Sequence, residues 1–237
     1  MNPVLRSSAA HVFVESLEHP VLSDDDAHHL FRVLRLRHGE TVTVSDGRGR
    51  WRAASVVDGN LSALGDVHSD QAHTACAIAA AIPKGDRLEW MVQKLTEVGA
   101  TRIVLLDTAR GVVRWDAAKA HRQIERLQRV VRDAASQSRQ CWLPILEGPR
   151  PLAEVLAEPG AVLADPDGVH VAGEPPAGPL VIGPEGGLDA TEHGIADRFG
   201  VPRVSLGRGI LRVETAAVVA AALVSHLQAT PRVDNAE

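Results

Sequence analysis

Two glycine-rich turns in the last third of the chain, each following an apolar run, constrain the fold most strongly. Residues 179–182 lead into Gly183-Pro-Glu-Gly-Gly-Leu188, and residues 204–206 lead into Gly207-Arg-Gly-Ile-Leu-Arg212. Each turn is followed by a helical pattern. Because glycine has no side chain, such turns leave main-chain N–H and C=O groups accessible. In open α/β sheets, ligands bind beyond the carboxyl ends of the strands. The two turns therefore predict a site for a flat, polar small molecule.

The first third of the chain is rich in short segments with the alternation typical of β-strands. These candidate strands lie at residues 12–15, 41–44, 51–57 and 61–67, with a hairpin-turn sequence at residues 46–49. One helical segment interrupts them. It begins at Asp24, and its predicted apolar face carries Ala27, Leu30, Val33 and Leu34. This pattern predicts a small β-barrel domain over residues 1–72.

After a polar stretch at residues 66–74, apolar segments of strand length alternate with amphipathic helical segments. The predicted strands lie at residues 75–82, 102–107, 161–164, 180–183 and 201–206, and the predicted helices at 86–99, 116–139 and 214–227. Such alternation indicates a mostly parallel sheet covered by helices, so residues 73–237 are predicted to form an α/β domain. The Pro/Gly-rich stretch at residues 165–179 is long enough to be a functional loop.

The composition excludes several classes of protein. With 237 residues, 45% of them hydrophobic and 23% charged, the chain is typical of soluble globular proteins. No apolar run approaches the ~20 residues of a membrane helix, and residues 1–6 lack the apolar core of a signal peptide. Cys76 and Cys141 lie too far apart for a disulfide framework or a zinc site. We therefore expect a cytoplasmic protein with reduced, buried thiols, no membrane partner and no bound metal.

Positive charge is concentrated in two segments, although the net charge of the chain is −5. Residues 28–52 carry six arginines against two acidic residues, and residues 110–139 carry seven arginines and one lysine against three. A locally basic surface can bind a phosphate backbone even on an acidic protein. Arginine also suits bidentate phosphate contacts. Genomic base composition explains the preference for arginine equally well, so charge alone leaves nucleic-acid binding open.

Common catalytic motifs are incomplete or missing in the sequence. The second glycine turn begins like a dinucleotide-binding fingerprint, but Arg212 replaces the third glycine and the unit lies at the wrong end of the chain. No P-loop lysine follows the first turn, and no G-x-S-x-G elbow occurs. His28 and His29 point to different helix faces and lack further ligands, which argues against a metal site.

Arg212 and Glu214 lie beside the second glycine turn, where the last predicted helix begins. An ion pair at the helix start, with an acidic residue favoured by the helix dipole, explains them structurally. A role in binding or catalysis explains their place beside the predicted ligand site. Glu185 is likewise either a loop tip or a ligand contact. Gln137 and Arg139 are either a solvated helix end or donors to a base or phosphate.

Five segments, in a fixed order over nearly the whole chain, carry a family resemblance. They are His28-His-Leu-Phe-Arg-Val-Leu-Arg35, Pro83-Lys-Gly-Asp-Arg87 through Gln93-Lys-Leu-Thr-Glu-Val-Gly99, Ala134-Ala-Ser-Gln-Ser-Arg139, Ile182-Gly-Pro-Glu-Gly-Gly-Leu188, and Leu206-Gly-Arg-Gly-Ile-Leu-Arg-Val-Glu-Thr215. Together they resemble the bacterial small-subunit ribosomal RNA (uracil-N3-)methyltransferases, the RsmE type of the SPOUT superfamily. The chain departs from the family at Ser136, where glutamate is common, and at Arg208-Gly209, which replaces a Pro-Arg type of pair.

The resemblance implies an N-terminal PUA-like β-barrel that helps to grip RNA, and a C-terminal α/β domain tied in a trefoil knot. It further implies S-adenosylmethionine held in the knot, and a homodimer in which each cofactor site lies near the partner subunit. The implied reaction is methyl transfer to N3 of a specific uridine in 16S ribosomal RNA, as naked RNA or within a ribosomal particle.

The resemblance also assigns the predicted site residues. The cofactor-binding residues are Ile182, Gly183, Pro184, Glu185, Gly186, Leu206, Gly207, Ile210, Leu211 and Thr215. The predicted catalytic residues are Arg212, which would stabilise negative charge on the uracil carbonyl oxygens, and Glu214, which would orient Arg212 or accept a proton through water. The predicted RNA-binding residues are Arg32, Arg35, Arg37, Lys84, Gln137 and Arg139.

Two other functions remain open on the sequence alone. One is a different SPOUT methyltransferase, acting on transfer RNA or on a ribose 2′-OH. The PUA-like domain and the five segments in order argue against it. The other is an RNA-binding protein without catalysis, and the two intact glycine turns argue against that.

Overall fold

The computed structural model describes residues 2–72, 74–170 and 174–229. The chain packs into two units. Unit 1 consists of residues 1–72 and 132–143, and unit 2 of residues 73–131 and 144–237.

Unit 1 is built on a four-stranded mixed sheet. Its elements are α1 (Pro3–Ser7), β1 (His11–Phe13), α2 (Asp24–His28), a π-helical turn (His29–Val33), β2 (Thr41–Ser45), β3 (Arg50–Val57) and β4 (Asn60–Ser69). The strands lie in the order β1-β2-β3-β4, with β1 parallel to β2 and the other pairs antiparallel. Alternate residues of β2 and β3 face one core, in which Val42, Val44, Ala54 and Val56 are buried. The predicted β-rich first domain is confirmed.

The helical segment of unit 1 differs from its predicted form. Ser23 caps α2, since its hydroxyl accepts a hydrogen bond from the Asp26 N–H at 3.1 Å. Leu30 is buried as predicted, but Val33 and Leu34 are 57% and 43% exposed, so their assignment to the apolar face is wrong. The π-helical turn, in which the Leu34 N–H bonds to the His29 carbonyl at 2.9 Å, explains this. Its wider hydrogen-bonded ring shifts the following side chains out of α-helical phase.

Unit 2 is built on a six-stranded parallel sheet. Its elements are β5 (Ala77–Ala81), α3 (Arg87–Glu97), β6 (Arg102–Asp107), α4 (Ala117–Gln137, whose last turns belong to unit 1), β7 (Ile145–Pro151), α5 (Leu152–Leu156), β8 (Val162–His170), β9 (Leu180–Ile182), α6 (Ala190–Arg198), β10 (Arg203–Ser205) and α7 (Val213–Ala229). The strands lie in the order β10-β8-β9-β5-β6-β7 and every pairing is parallel. The predicted alternation of strands and helices is confirmed.

The helices cover the sheet through apolar faces that the sequence spacing predicts. In α3, Leu88, Met91, Val92 and Leu95 are buried, at the i, i+3, i+4, i+7 spacing of one helix face. In α7 the buried positions include small alanines, which let the helix approach its neighbours closely.

The two cysteines, Cys76 and Cys141, are buried free thiols. Burial raises the pKa of Cys76 to about 11 and that of Cys141 to about 12, which keeps both thiols protonated and unreactive.

Two strand features were not predicted. Strand β7 contains Pro149 and Pro151, which disfavour a strand prediction, yet β7 lies at the end of the sheet, where proline is tolerated. Strand β8 extends to His170, into the stretch predicted as a loop at residues 165–179; residues 171–173 of that stretch lie outside the described ranges. Between β8 and β10 the register jumps, since Arg203 pairs with Leu163 and Val204 with Val169. Residues 164–168 therefore form a bulge in β8.

Candidate functional site

The three strands that lead to the predicted site are neighbours in the sheet of unit 2. Strand β8 lies between β10 and β9, and all three run parallel. Their carboxyl ends therefore meet at one edge, where the chain leaves β9 through loop A (residues 183–188) and β10 through loop B (residues 206–212). Between the loops and the β8 bulge lies a cavity of about 400 Å³, a volume typical of small-molecule sites.

Nine of the ten predicted cofactor-binding residues line this cavity: Ile182, Gly183, Pro184, Glu185, Gly186, Leu206, Gly207, Ile210 and Leu211. Thr215 is not among the lining residues and is exposed on the first turn of α7. The structure thus brings both glycine turns, whose first glycines Gly183 and Gly207 are 24 residues apart in sequence, to one cavity.

The cavity is also lined by Gly187, Leu188 and Gly209, which belong to the two predicted turns. The lining residues that the sequence did not identify are residues 163–166 of β8, His193, Ser205, Val213 and Ala216. The Asp165-Pro166 pair lies in the stretch suspected of being a functional loop, and that composition was the available signal. His193 on α6 gave no signal in the sequence, because its place depends on how α6 packs against loop A. Its Nδ1 is buried without a hydrogen-bond partner among the described residues.

Loop A has a tight geometry of its own. The Gly187 N–H donates to the Pro184 carbonyl at 2.8 Å, and Gly187 has φ +70°, a left-handed conformation that favours glycine. A Cβ at Gly183 would come within 3.1 Å of the Leu188 side chain, so a larger residue there would push against the loop. After the loop, Asp189 and Glu192 form a reciprocal capping box that fixes the start of α6.

Two arginines from elsewhere in unit 2 hold loop A in place. Arg87, at the start of α3, donates from Nη1 to Glu185 Oε1 at 3.0 Å. Arg110, from the segment after β6, donates from Nη1 to the Gly186 carbonyl at 3.0 Å. Because both are charge-assisted hydrogen bonds, they restrict the position of a loop whose glycines would otherwise leave it flexible.

Glu214 is buried in the first turn of α7, with only 6% of the residue exposed. Its Oε1 lies 3.5 Å from Arg87 Nη1, so the same guanidinium faces both Glu185 and Glu214. Its Oε2 is buried and has no hydrogen-bond partner within the described chain. A buried carboxylate oxygen that accepts no hydrogen bond destabilises the fold. Such an atom is therefore suited to accept a hydrogen bond from a bound ligand.

Arg212 lies at the end of loop B and is exposed. Within the described ranges its guanidinium has no hydrogen bond or ion pair, and the predicted structural alternative, an ion pair with Glu214, is not formed, because Glu214 faces Arg87 instead. Arg212 lines a second cavity of about 340 Å³ together with Arg87, Glu185, Ile210 and Leu211. Glu185, Ile210 and Leu211 line both cavities, so Arg212 borders a space directly beside the loop A and loop B cavity.

Comparisons with known proteins agree with this architecture. The family model for an RNA methyltransferase domain matches residues 70–225, and the model for an RNA methyltransferase PUA domain matches residues 22–63. The chain belongs to the RNA methyltransferase family. The predicted resemblance and fold class are thereby confirmed at the level of a PUA-like domain followed by a parallel-sheet α/β methyltransferase domain.

Individual relatives of this RNA methyltransferase cover nearly its whole length. The ribosomal RNA small subunit methyltransferase E of Mycobacterium bovis is 31% identical, and the match covers 87% of this chain and 86% of that protein. The crystal structure of the Neisseria gonorrhoeae ribosomal RNA small subunit methyltransferase E bound to S-adenosylmethionine is 27% identical with a TM-score of 0.74, covering 92% of this chain and 97% of that one. A Legionella pneumophila protein, also solved with S-adenosylmethionine, is 25% identical with a TM-score of 0.77, covering 91% and 96%.

The predicted RNA-binding residues of this methyltransferase have different surroundings. Arg32, Arg35, Arg37, Lys84 and Gln137 are exposed. Arg139 is half-buried within unit 1, where its Nη2 donates to the Ser8 carbonyl at 3.0 Å and burial lowers its pKa. In this structure the Arg139 guanidinium therefore supports the packing of unit 1, with its hydrogen-bonding capacity partly used.

Neither a membrane span nor a metal cluster is found in the described part of this methyltransferase. None of its helices is long and apolar enough to cross a membrane. No group of three or more His, Cys, Asp and Glu side chains is arranged to hold a metal ion in the same residues.

Proposed function

We propose that this chain transfers a methyl group from S-adenosylmethionine to N3 of a uridine in small-subunit ribosomal RNA. The observation that carries the proposal is the pair of adjoining cavities. One lies between two glycine loops, and the other is bordered by Arg212, Arg87 and Glu185. The names of the relatives support the ribosomal substrate, and the cofactor held by two similar structures supports the methyl donor.

S-adenosylmethionine fits the residues of the loop A and loop B cavity. About 400 Å³ accommodates a ligand of this size. The glycines present main-chain donors and acceptors suited to the polar edges of an adenine ring and an amino acid, and Leu206, Ile210 and Leu211 add apolar walls. Residues 182–186, 206–207 and 210–211 would hold the cofactor. When bound, the cofactor supplies an electrophilic methyl group on a positively charged sulfur.

Arg212 would bind the uracil and stabilise its charge. Uracil N3–H is a weak acid, so negative charge develops on the neighbouring carbonyl oxygens as N3 becomes a nucleophile. A guanidinium without a competing partner is suited to donate hydrogen bonds to those oxygens, and Arg212 has such a guanidinium beside the cofactor cavity. Holding the base in this orientation also lowers the entropic cost of bringing the base and the methyl group together.

Glu214 would act through its two oxygens. Oε1 faces Arg87, which fixes the carboxylate in place, while Oε2 is free to accept a hydrogen bond from the ligand or the N3 proton through water. We propose Glu214 as a positioning group for the base and as the acceptor of the N3 proton through water. We also propose Thr215, on the first turn of α7, as a cofactor-binding residue.

The wider assembly is proposed from the family resemblance and supported by several features. Residues 1–72 would grip RNA and residues 73–237 would carry out methyl transfer, with the two glycine loops held in a trefoil knot. Ile210, which is 90% exposed at the cavity, supports a homodimer in which the partner subunit covers the site. Cytoplasmic location follows from a ribosomal substrate.

Two measurements test the proposed function. Isothermal titration calorimetry with S-adenosylmethionine should show one site per chain. Mass analysis of 16S ribosomal RNA nucleosides from cells lacking the protein should show loss of N3-methyluridine, restored by the wild-type chain and not by the Arg212→Ala variant. Loss of a 2′-O-methylated or transfer RNA nucleoside instead would identify a different methyltransferase. Absence of cofactor binding would point to an RNA-binding protein without catalysis.

A further inference from the structure

Unit 1 contains a cavity of about 760 Å³ that none of the site residues above explains. It is lined by the segment after β1, by the turn before β3 and by Arg132. Three arginines line it, namely Arg48, Arg50 and Arg132. Arg32, Arg35 and Arg37 are not among its lining residues.

Two of these arginines have side chains available to a ligand. Within the described residues, Arg48 has no side-chain hydrogen bond or ion pair, and Arg50 has only an exposed pair with Glu18 at 3.7 Å. Such an exposed pair contributes little stability and is easily exchanged for a stronger partner. Arg132 is committed, because its Nη2 donates to the Phe13 carbonyl at 2.5 Å and its guanidinium lies 5.4 Å from the Phe13 ring centre.

The acidic side chains of the cavity offset this charge only in part. Asp46 Oδ1 accepts hydrogen bonds from the backbone N–H groups of Arg48 and Arg50 at 2.8 and 3.1 Å, which shapes the turn. Glu15 also lines the cavity and is exposed. The arrangement of the turn therefore holds the two arginines side by side at the cavity, which suits the spaced oxygens of a phosphate group.

The cavity also joins the two basic segments of the sequence. Arg48 and Arg50 belong to residues 28–52 and Arg132 to residues 110–139, which are the two segments with excess arginine. Beside these cations lies an apolar wall that includes Val21, which is 78% exposed, and Leu22. A cationic rim with an apolar wall matches a nucleotide, whose phosphate is charged and whose base and ribose have apolar faces.

We infer that this cavity of unit 1 binds a nucleotide of a single-stranded RNA segment. Arg48 and Arg50 bind the phosphate, and Val21 and Leu22 contact the base or ribose. The inference rests on the proposed function, because that function supplies an RNA ligand. It goes further in assigning RNA contact to Arg48 in the turn before β3 and to Arg50 at the start of β3, which the family resemblance does not name.

The experiment compares the full-length Arg48→Ala/Arg50→Ala variant with wild type, using a fluorescein-labelled single-stranded RNA copy of the substrate segment in anisotropy titrations. The variant should bind about tenfold more weakly. The slope of log affinity against log salt should fall by about 1.4, because each lost phosphate contact on a single strand contributes about 0.7. In methylation assays the KM for RNA should rise by a similar factor, while kcat and the S-adenosylmethionine affinity stay unchanged.

Arg6→Ala is the matched control, since Arg6 is an exposed arginine of unit 1 outside the cavity. Arg48→Lys/Arg50→Lys keeps the charge and should recover part of the affinity, and thermal unfolding checks that each variant folds. Equal affinity and salt slope for the double-alanine variant and the Arg6→Ala control overturn the inference. A defect seen with ribosomal particles and not with naked RNA also overturns it, because the cavity then contacts protein.

The same titrations distinguish failure of the inference from failure of the proposed function. If wild type methylates the RNA and the double-alanine variant matches it in RNA affinity and KM, the inference fails and the proposed function stands. If wild type binds the RNA through these arginines and transfers no methyl group, the inference stands and the proposed function fails.

Discussion

Arg87 Nη1 lies 3.0 Å from Glu185 Oε1, and this contact joins the start of α3 to loop A across 98 residues of sequence. The same nitrogen lies 3.5 Å from Glu214 Oε1 at the start of α7. One guanidinium therefore contacts both a carboxylate of loop A and a carboxylate at the start of α7. Its loss would free loop A and leave the buried Glu214 without a counter-charge.

The first prediction concerns this bridge. Arg87→Ala should weaken S-adenosylmethionine binding about tenfold, equivalent to about 1.4 kcal/mol, and should also lower kcat, because both loop A and Glu214 lose their position. Calorimetry and steady-state kinetics measure the two effects. The matched control is Arg126→Ala, which removes a comparable pair with Glu89 at 2.5 Å on the neighbouring helices. Equal cofactor affinity in the Arg87 and Arg126 variants would show that the bridge does not position loop A.

The second prediction separates Arg212 from cofactor binding. Arg212→Ala should lower kcat about 100-fold, because a donor to developing negative charge is lost. Its S-adenosylmethionine affinity should stay within about twofold of wild type, since Arg212 lines the second cavity and not the first. Arg212→Lys keeps the charge without the paired N–H groups and should fall between the two. Full turnover by the alanine variant would exclude Arg212 from the chemistry.

The local pattern of the two glycine turns was sufficient to predict a cavity between them. An apolar run followed by glycines and a helix specifies a strand end, and parallel strands bring such ends to one edge of a sheet. For this reason Gly183 and Gly207 could be assigned to a common cavity without coordinates. Helices such as α3 were equally predictable, because their apolar spacing is strong and nothing within them breaks it.

Contacts between distant segments were beyond prediction. No local signal pairs Glu214 with Arg87, because the two are 127 residues apart and meet only when α3 and α7 are in place. The bulge in β8 is a property of the register with β10, which a single segment does not encode. The exposure of Val33 followed from a π-helical turn whose sequence has an ordinary α-helical pattern. Each miss therefore arises where tertiary packing overrides the local pattern.

The third prediction places the cofactor by steric block. Gly209 lines the loop A and loop B cavity, and a Cβ built on it meets no atom within 4 Å. Gly209→Val should therefore fold with stability within about 0.5 kcal/mol of wild type, while its added methyl groups reduce S-adenosylmethionine affinity at least tenfold. The control is Gly194→Ala on α6, where an added Cβ also meets no atom within 4 Å. It should raise the free energy of unfolding by about 0.5–1 kcal/mol and leave cofactor affinity unchanged. Normal affinity in the Gly209 variant would place the cofactor elsewhere.

The fourth prediction is a pH dependence of the stability of unit 1. His11 is buried, with Nδ1 2.9 Å from Thr43 Oγ1 and Nε2 donating to the Gln140 carbonyl at 3.1 Å. Burial, and next the charge of Arg139, lower the pKa of His11 to about 4. The unfolded chain has the ordinary pKa of about 6.5 and so binds the proton more readily. As the pH falls from about 6.5 to about 4, proton uptake favours the unfolded state, and the loss approaches about 3 kcal/mol.

His11→Gln removes this titration while keeping an amide that can hydrogen-bond. Its free energy of unfolding, measured by urea denaturation at several pH values, should fall less steeply between pH 6.5 and 4 than that of wild type. His38→Gln is the control for the replacement of a histidine by glutamine at an exposed position. Carboxylates titrate in all three proteins alike, so the difference between the curves isolates His11. Parallel curves for wild type and the His11 variant would mean that the buried imidazole takes up its proton equally well in the folded and unfolded states.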